Sequence, residues 1–203
     1  GRIYTDYLEE NQKALDDFAK ALELDTTYVS AINYRGVIFV EEGKYEDAIK
    51  EYEKGIALKE IDPEGAAYCY SNRATQYERL RKYDKALADY DSAIALEPEN
   101  AARYNARAIF YKNYEKDYQQ ALIDYSKAIE LDGENPELWY FRGDLYTDYF
   151  NQNQKALDDF AKVLEVDSTY VNAINARGLI FEEEGKYEDA IKEYEKGIAL
   201  KEI

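Results

Sequence analysis

Apolar and aromatic residues recur at helical spacing along this chain, and polar residues fill the positions between them. From Ala48 the apolar side runs through Ile49, Tyr52, Ile56 and Leu58, with Glu and Lys on the other face. That spacing is the pattern of a helix with one buried face. Six segments share it: "QKALDDFAKALEL" from Gln12, "YEDAIKEYEKGIAL" from Tyr45, "YDKALADYDSAIAL" from Tyr83, "YQQALIDYSKAIEL" from Tyr118, "QKALDDFAKVLEV" from Gln154 and "YEDAIKEYEKGIAL" from Tyr187. Between them lies a second helical pattern, as in "AINYRGVIFVEEG", "CYSNRATQYERL" and "WYFRGDLYTDYF". Gly43 and Gly185 mark one type of break, and Pro63, Pro98 and Pro136 fall in the other, ahead of the next helix. The pattern predicts about twelve antiparallel helices, each roughly 10–16 residues long, and no sheet. The first would be a short helix near Ile3–Leu8.

Anchored on their shared alanines, Ala14, Ala48, Ala86, Ala121, Ala156 and Ala190, the segments are separated by 34, 38, 35, 35 and 34 residues. A pair of helices recurring at such a period marks a solenoid of stacked repeats. Residues 1–61 also align with 143–203 at a constant offset of 142, and "GKYEDAIKEYEKGIALKEI" is identical at Gly43–Ile61 and Gly185–Ile203. The offset equals four successive periods, as duplication of a four-repeat block would produce.

The third repeat carries Tyr70, Ala74, Tyr77, Ala86, Tyr90, Ala93 and Pro98, and the fifth carries Trp139, Gly143, Tyr146, Ala156 and Phe160. In order and spacing these residues resemble the tetratricopeptide repeat, over nearly the whole chain. The resemblance implies an all-α fold: an α-α superhelix, or solenoid, of about six helix-turn-helix repeats, the first and last incomplete or uncapped. As one array over 1–203, the repeats fall at about 1–28, 29–64, 65–100, 101–135, 136–170 and 171–203. Two features depart from the family pattern. The usual Leu ahead of the small residue is Arg35, Arg73, Arg107, Arg142 and Arg177, and the last small residue of the second helix is Gly55, Val163 or Gly197 in three copies.

The arginines recur in step with an acid three residues after each anchoring alanine: Glu51, Asp89, Asp124, Asp159 and Glu193. A partly buried guanidinium needs a partner, and a carboxylate matches its planar fork. The expectation is one structural ion pair per repeat, Arg35 with Glu51, Arg73 with Asp89, Arg107 with Asp124, Arg142 with Asp159 and Arg177 with Glu193.

Composition narrows the chemistry. The chain has 203 residues, 46% of them hydrophobic, and a formal net charge of −17. That charge repels nucleic-acid phosphates and anionic lipid, so neither nucleic acid nor membrane is an expected partner, and a basic protein or peptide would be favoured. No apolar run approaches the ~20 residues of a membrane-spanning helix. Without histidine there is no imidazole base or metal ligand, and the one cysteine, Cys69, stands without a nucleophile's helpers. No phosphate-binding loop, dinucleotide fingerprint or calcium loop occurs. The expectation is a protein that is not an enzyme and uses no metal or cofactor. A single cysteine fits a reducing compartment such as the cytoplasm.

The family resemblance implies a concave groove, lined by the first helix of each pair, that binds peptides or extended segments. The register places Asn33, Ser71, Asn105, Tyr140 and Asn175 in one row of that lining, with Tyr68, Thr75 and Asp144 beside it. An Asn amide offers both a donor and an acceptor to a peptide backbone. The basic pair of a carboxylate clamp is missing from every register. The expected function is a protein-interaction scaffold binding a peptide or extended partner segment in the groove. The alternatives are a structural spacer, or an accessory domain of a larger protein with no ligand of its own. Ile191, Tyr194 and Ile198 would lie uncovered in the last repeat, from which end-to-end self-association is expected.

Overall fold

A computed structural model describes residues 2–200, with side chains from residue 10 onward. It contains eleven α-helices and, among the described residues, no strand. They fall into two compact units, residues 1–98 and 99–203. The first unit holds α1 (Arg2–Leu24), α2 (Val29–Glu41), α3 (Tyr45–Ile56), α4 (Pro63–Arg79) and α5 (Tyr83–Leu96). The second holds α6 (Ala101–Phe110), continued by a π-helical turn at Tyr111–Glu115, then α7 (Tyr118–Leu131), α8 (Pro136–Asp148), α9 (Asn153–Val166), α10 (Val171–Glu183) and α11 (Tyr187–Ala199).

The helices pack in sequence-adjacent pairs: α2 on α3 and α4 on α5 in the first unit, and α6 on α7, α8 on α9 and α10 on α11 in the second. Within each unit the second helix of one pair also packs on the first helix of the next, so part of the core lies between pairs. Val29, Ala48, Tyr52 and Cys69 form one such cluster, with Cys69 coming from the following pair. Leu145 of α8 is buried in the same way against Ala108, Ala121 and Tyr125 of the pair before it. No pair encloses its own apolar face, which is why the units are stacks. Buried inside that contact, the Cys69 thiol has its pKa pushed up to about 12, first by burial and then by the Asp62 charge. It is an inert packing group.

Every turn inside a pair is closed by one residue in the left-handed region: Gly43, Arg81, Lys116, Asn151 and Gly185. In three pairs the turn is tight, with Lys44 N–H donating to the Phe39 carbonyl, Lys82 to Tyr77 and Lys186 to Phe181, each at 2.8 Å. The two repeats with one extra residue before the second helix widen this loop. There Asp117 N–H reaches Tyr111 at 3.2 Å and Gln152 N–H reaches Tyr146 at 2.8 Å. In the first of these two the inserted residue is taken up by the π-helical turn, the usual way a helix accommodates one residue too many. Pair register is therefore preserved despite unequal spacing. A Cβ on Gly43 would touch nothing within 4 Å, so Gly43→Ala isolates the backbone cost of a left-handed alanine. It should destabilise the first unit by about 1 kcal/mol, read from urea unfolding, and an unchanged midpoint would show that this turn can reorganise.

The short first helix expected near Ile3–Leu8 is instead part of α1, one helix running from Arg2 to Leu24. The cause is visible in the duplicated block. Asn151 stands in the left-handed region and ends the turn between α8 and α9, whereas the residue 142 positions earlier is Glu9. Asn tolerates that conformation, while Glu favours a continuing helix. Among the described residues the count is accordingly eleven α-helices rather than twelve.

Elsewhere the boundaries follow local chemistry. Asp62, Asn100, Asp117 and Asn135 each accept a backbone N–H at the start of the next helix. Pro63 and Pro136 are the first helical residues of α4 and α8, where a missing N–H costs nothing.

Candidate functional site

Two sets of polar residues recur on the first helices of the pairs. One faces the second helix of its own pair. Arg73 donates through Nε and Nη2 to the two carboxylate oxygens of Asp89 at 2.8 and 2.7 Å. Arg107 does the same to Asp124, both at 2.8 Å, and Arg142 to Asp159, both at 2.8 Å. The remaining nitrogen looks back to the preceding pair. Arg142 Nη1 donates to Ser126 Oγ at 3.2 Å, and Arg73 Nη1 lies 3.7 Å from Glu53. Aromatic rings flank the same guanidiniums, Tyr70 and Tyr77 around Arg73, and Trp139 and Tyr146 around Arg142. Arg thus fills a packing slot while tying three helices together, a job the family's usual Leu performs by packing alone.

Burial raises the Asp89 and Asp159 carboxyls above their ordinary value, and the bonds from Arg73 and Arg142 oppose that shift. The two guanidiniums are lowered by burial but raised overall by their carboxylates.

The two copies with Glu are looser. Arg35 reaches Glu51 at 3.4 Å and Arg177 reaches Glu193 at 3.3 Å, each through one contact. Lys54 and Lys196 bind those same carboxylate oxygens at 2.6 and 2.8 Å. Arg35 Nε, Glu51 Oε2, Arg177 Nε and Glu193 Oε2 find no hydrogen-bond partner among the described residues. The added methylene turns the carboxylate out of the two-point alignment that Asp89 achieves at the same sequence separation. Glu51→Asp should therefore complete a two-point pair and raise stability by about 1 kcal/mol. A thermal midpoint unchanged or lowered by the substitution would show that Lys54 already satisfies the site.

The second set lines a groove in the second unit, between α8 and α10. Tyr140, Asp144, Thr147 and Asp148 stand on α8, opposite Asn172, Asn175, Leu179 and Glu183 on α10. Of the residues expected in a concave lining, Tyr140, Asp144 and Asn175 come together here. The others lie apart from this groove. Asn33 Oδ1 accepts from Asn72 Nδ2 at 2.8 Å, so its carbonyl is already engaged by α4. Thr75 Oγ1 donates to the Ser71 carbonyl at 3.1 Å, Tyr68 is exposed on α4, and Asn105 Oδ1 is buried without a donor among the described residues.

The groove is acidic. Asp144 is held by Lys112, while Asp148 and Glu183 remain along its rim. Partial desolvation, and then the Asp144 charge, raise the Asp148 carboxyl above the usual carboxylate value. Asp148 and Glu183 escape a reading by sequence because "EEE" at Glu182–Glu184 looks like a solvated helix end. The available signal is that Asp148 follows Asp144 by one helical turn, and Glu183 follows Leu179 likewise. Among the described residues no cluster of His, Cys, Asp or Glu has the arrangement to hold a metal, and no helix is long and apolar enough to cross a membrane.

Family models of the tetratricopeptide repeat match residues 31–62, 67–100 and 171–203. The DnaJ homolog subfamily C member 7 homolog of Schizosaccharomyces pombe is 31% identical over 122 residues, covering 54% of this chain and 26% of that protein. The Hsp70-Hsp90 organizing protein of Triticum aestivum is 31% identical over 112 residues, covering 54% of this chain and 19% of that protein. The chain therefore spans about a quarter and about a fifth of the lengths of these relatives. Among solved structures, BtubC from P. vanneervenii superposes with a TM-score of 0.78 at 19% identity, covering 95% of this chain and 89% of that one. YrrB, described as a TPR protein with an unusual peptide-binding site, superposes with a TM-score of 0.68 at 22% identity, covering 90% of this chain and 91% of that one. At these identities the two structures speak for the fold alone. The paired helices, their period and the three matched segments make this chain a member of the tetratricopeptide repeat family.

Proposed function

We propose that the chain is a protein-interaction scaffold whose α8–α10 groove binds an extended peptide segment carrying a basic side chain. The observation that supports this most directly is the composition of the groove. Asn172 and Asn175 offer amides to a peptide backbone, Tyr140 and Leu179 offer apolar contact, and Asp148 and Glu183 add carboxylates at one end. A chain charge of −17 adds long-range attraction for a cationic segment. One matched relative is named an Hsp70-Hsp90 organizing protein, and YrrB is described by its peptide-binding site, which is consistent with a binding role. The acidic rim argues against capture of a terminal carboxylate.

The test is an array of short extended peptides with Lys or Arg placed at successive positions, followed by calorimetric titration of the best binder. Affinity should fall at least tenfold in the Asp148→Asn, Glu183→Gln double variant, and should fall with added salt. It should also weaken as pH falls through the raised pKa of Asp148, because a bound cation favours the charged carboxylate and protonation removes it. Equal binding by the double variant, or preferential capture of acidic peptides, would rule the reading out. No binder at all would favour a spacer.

A further inference from the structure

The π-helical turn after α6 changes where one side chain goes. In the third and sixth repeats the residue five positions after the paired arginine stays with its own pair. Glu78 accepts the Tyr90 hydroxyl at 2.7 Å, and Glu182 accepts the Tyr194 hydroxyl at 2.8 Å. Lys112 likewise stands five positions after Arg107, but it lies in the π-helical turn at Tyr111–Glu115. Its ammonium donates to Asp144 Oδ2, on the first helix of the following pair. A π-turn re-aims the side chains it carries and is frequent at functional positions. Here it sends a cation into the α8–α10 groove.

Asp144 belongs to the α8 wall of that groove, a hollow of about 270 Å³ that Asp148 and Glu183 also line. Burial and then the Asp144 charge raise the Asp148 carboxyl, and the Lys112 charge opposes them, so the ammonium acts on both acids of α8. Lys112 therefore holds, from within the chain, the place a ligand's cation would take. It is held lightly. The side chains of Lys112 and Asp144 are 20% and 29% exposed, and an ion pair open to water contributes little, because each partner regains hydration when the pair opens. A lysine ammonium on its flexible stem can swing aside without moving the backbone. Spacing limits what can replace it. Asp144 and Asp148 are one helical turn apart, about 5–6 Å between Cβ atoms. An extended segment lying along α8 carries side chains i and i+2 on one face, about 6–7 Å apart.

We propose that Lys112 is a stand-in for a second basic side chain of the ligand, so that the groove selects an extended segment with basic residues at i and i+2. One displaces Lys112 from Asp144, and the other lies against Asp148 and Glu183. The inference rests on the reading that this groove binds a basic segment, and it adds which segment and what is displaced. A single basic residue goes to Asp148 and Glu183, because Asp144 already has its cation.

Two acetylated peptides test this on the full chain, one with Arg at i and i+2, the other with Gln in place of one Arg. Lys112→Met should tighten the two-Arg peptide at least tenfold and the one-Arg peptide less than threefold, by calorimetric titration. Lys112→Gln should do the same, and adding Asp144→Asn to either variant should abolish the gain. In the parent chain, labelling of the Lys112 amine by a succinimidyl ester, followed by mass spectrometry, should speed up when the two-Arg peptide binds and not when the one-Arg peptide does. Equal gains for both peptides, a gain that survives Asp144→Asn, or labelling unchanged by the two-Arg peptide would overturn the inference and leave the groove reading in place. Failure of both peptides to bind the parent and the Lys112 variants would remove the groove reading, and this inference with it.

Discussion

Replacing Arg142 by Leu should destabilise the second unit by about 3–5 kcal/mol, because it leaves the buried Asp159 carboxylate without its partner. In a chain of this size that is a fall in midpoint on the order of 10 °C. The pH dependence carries the diagnostic sign. Burial already raises Asp159 above its unfolded value, and Arg142 opposes the shift. Without the arginine the folded pKa rises further. A carboxyl raised in the folded state favours folding below its unfolded pKa and loses that contribution as pH rises through the folded pKa. The variant should therefore be penalised least in acid and most at neutral pH, which denaturant titrations at the two pH values would reveal. The double variant Arg142→Leu, Asp159→Leu should recover most of the loss, since well-packed apolar residues replace a buried ion pair at little cost. A single variant as stable as the parent at neutral pH would mean that Asp159 finds another donor.

The second large effect lies one layer deeper. Phe160 is fully buried between α8 and α9, and its ring stands 2.7 Å from the place a Cβ on Gly143 would occupy. Phe160→Ala should cost about 3–5 kcal/mol through lost burial and the void left behind. Gly143→Ala alone should also destabilise, by roughly 1–3 kcal/mol, because the ring is in the way. Combined, the two should be less harmful than their sum, the new methyl entering the space the ring vacates. Strictly additive midpoints would show that the ring and the glycine are not in contact.

The fold is legible in the sequence because its information is local and repeated. Helical spacing of apolar residues, the alanine anchors and the prolines at helix starts each act over a few residues, and a solenoid adds only contacts between neighbouring repeats. The pairing of Arg73 with Asp89 is of the same kind. Both positions recur in step, so their separation is fixed by the repeat. The exception at the N-terminal end is also local in origin: Glu9 in place of the turn-forming Asn151 continues α1 as a single helix.

What the sequence leaves open depends on surroundings rather than on residue type. Glu51 and Asp89 occupy one repeat position, but only the three-dimensional placement of the carboxylate shows that one methylene converts a two-point pair into a single contact shared with Lys54. Asn33 and Asn175 are twins in sequence, yet Asn72 engages the first, while the second lines an open groove with Tyr140 and Asp144. Identical segments bury Ile49 and expose Ile191, because burial belongs to the contact and not to the side chain. A sequence determines which face of a helix is apolar. Tertiary structure decides which of those faces are covered.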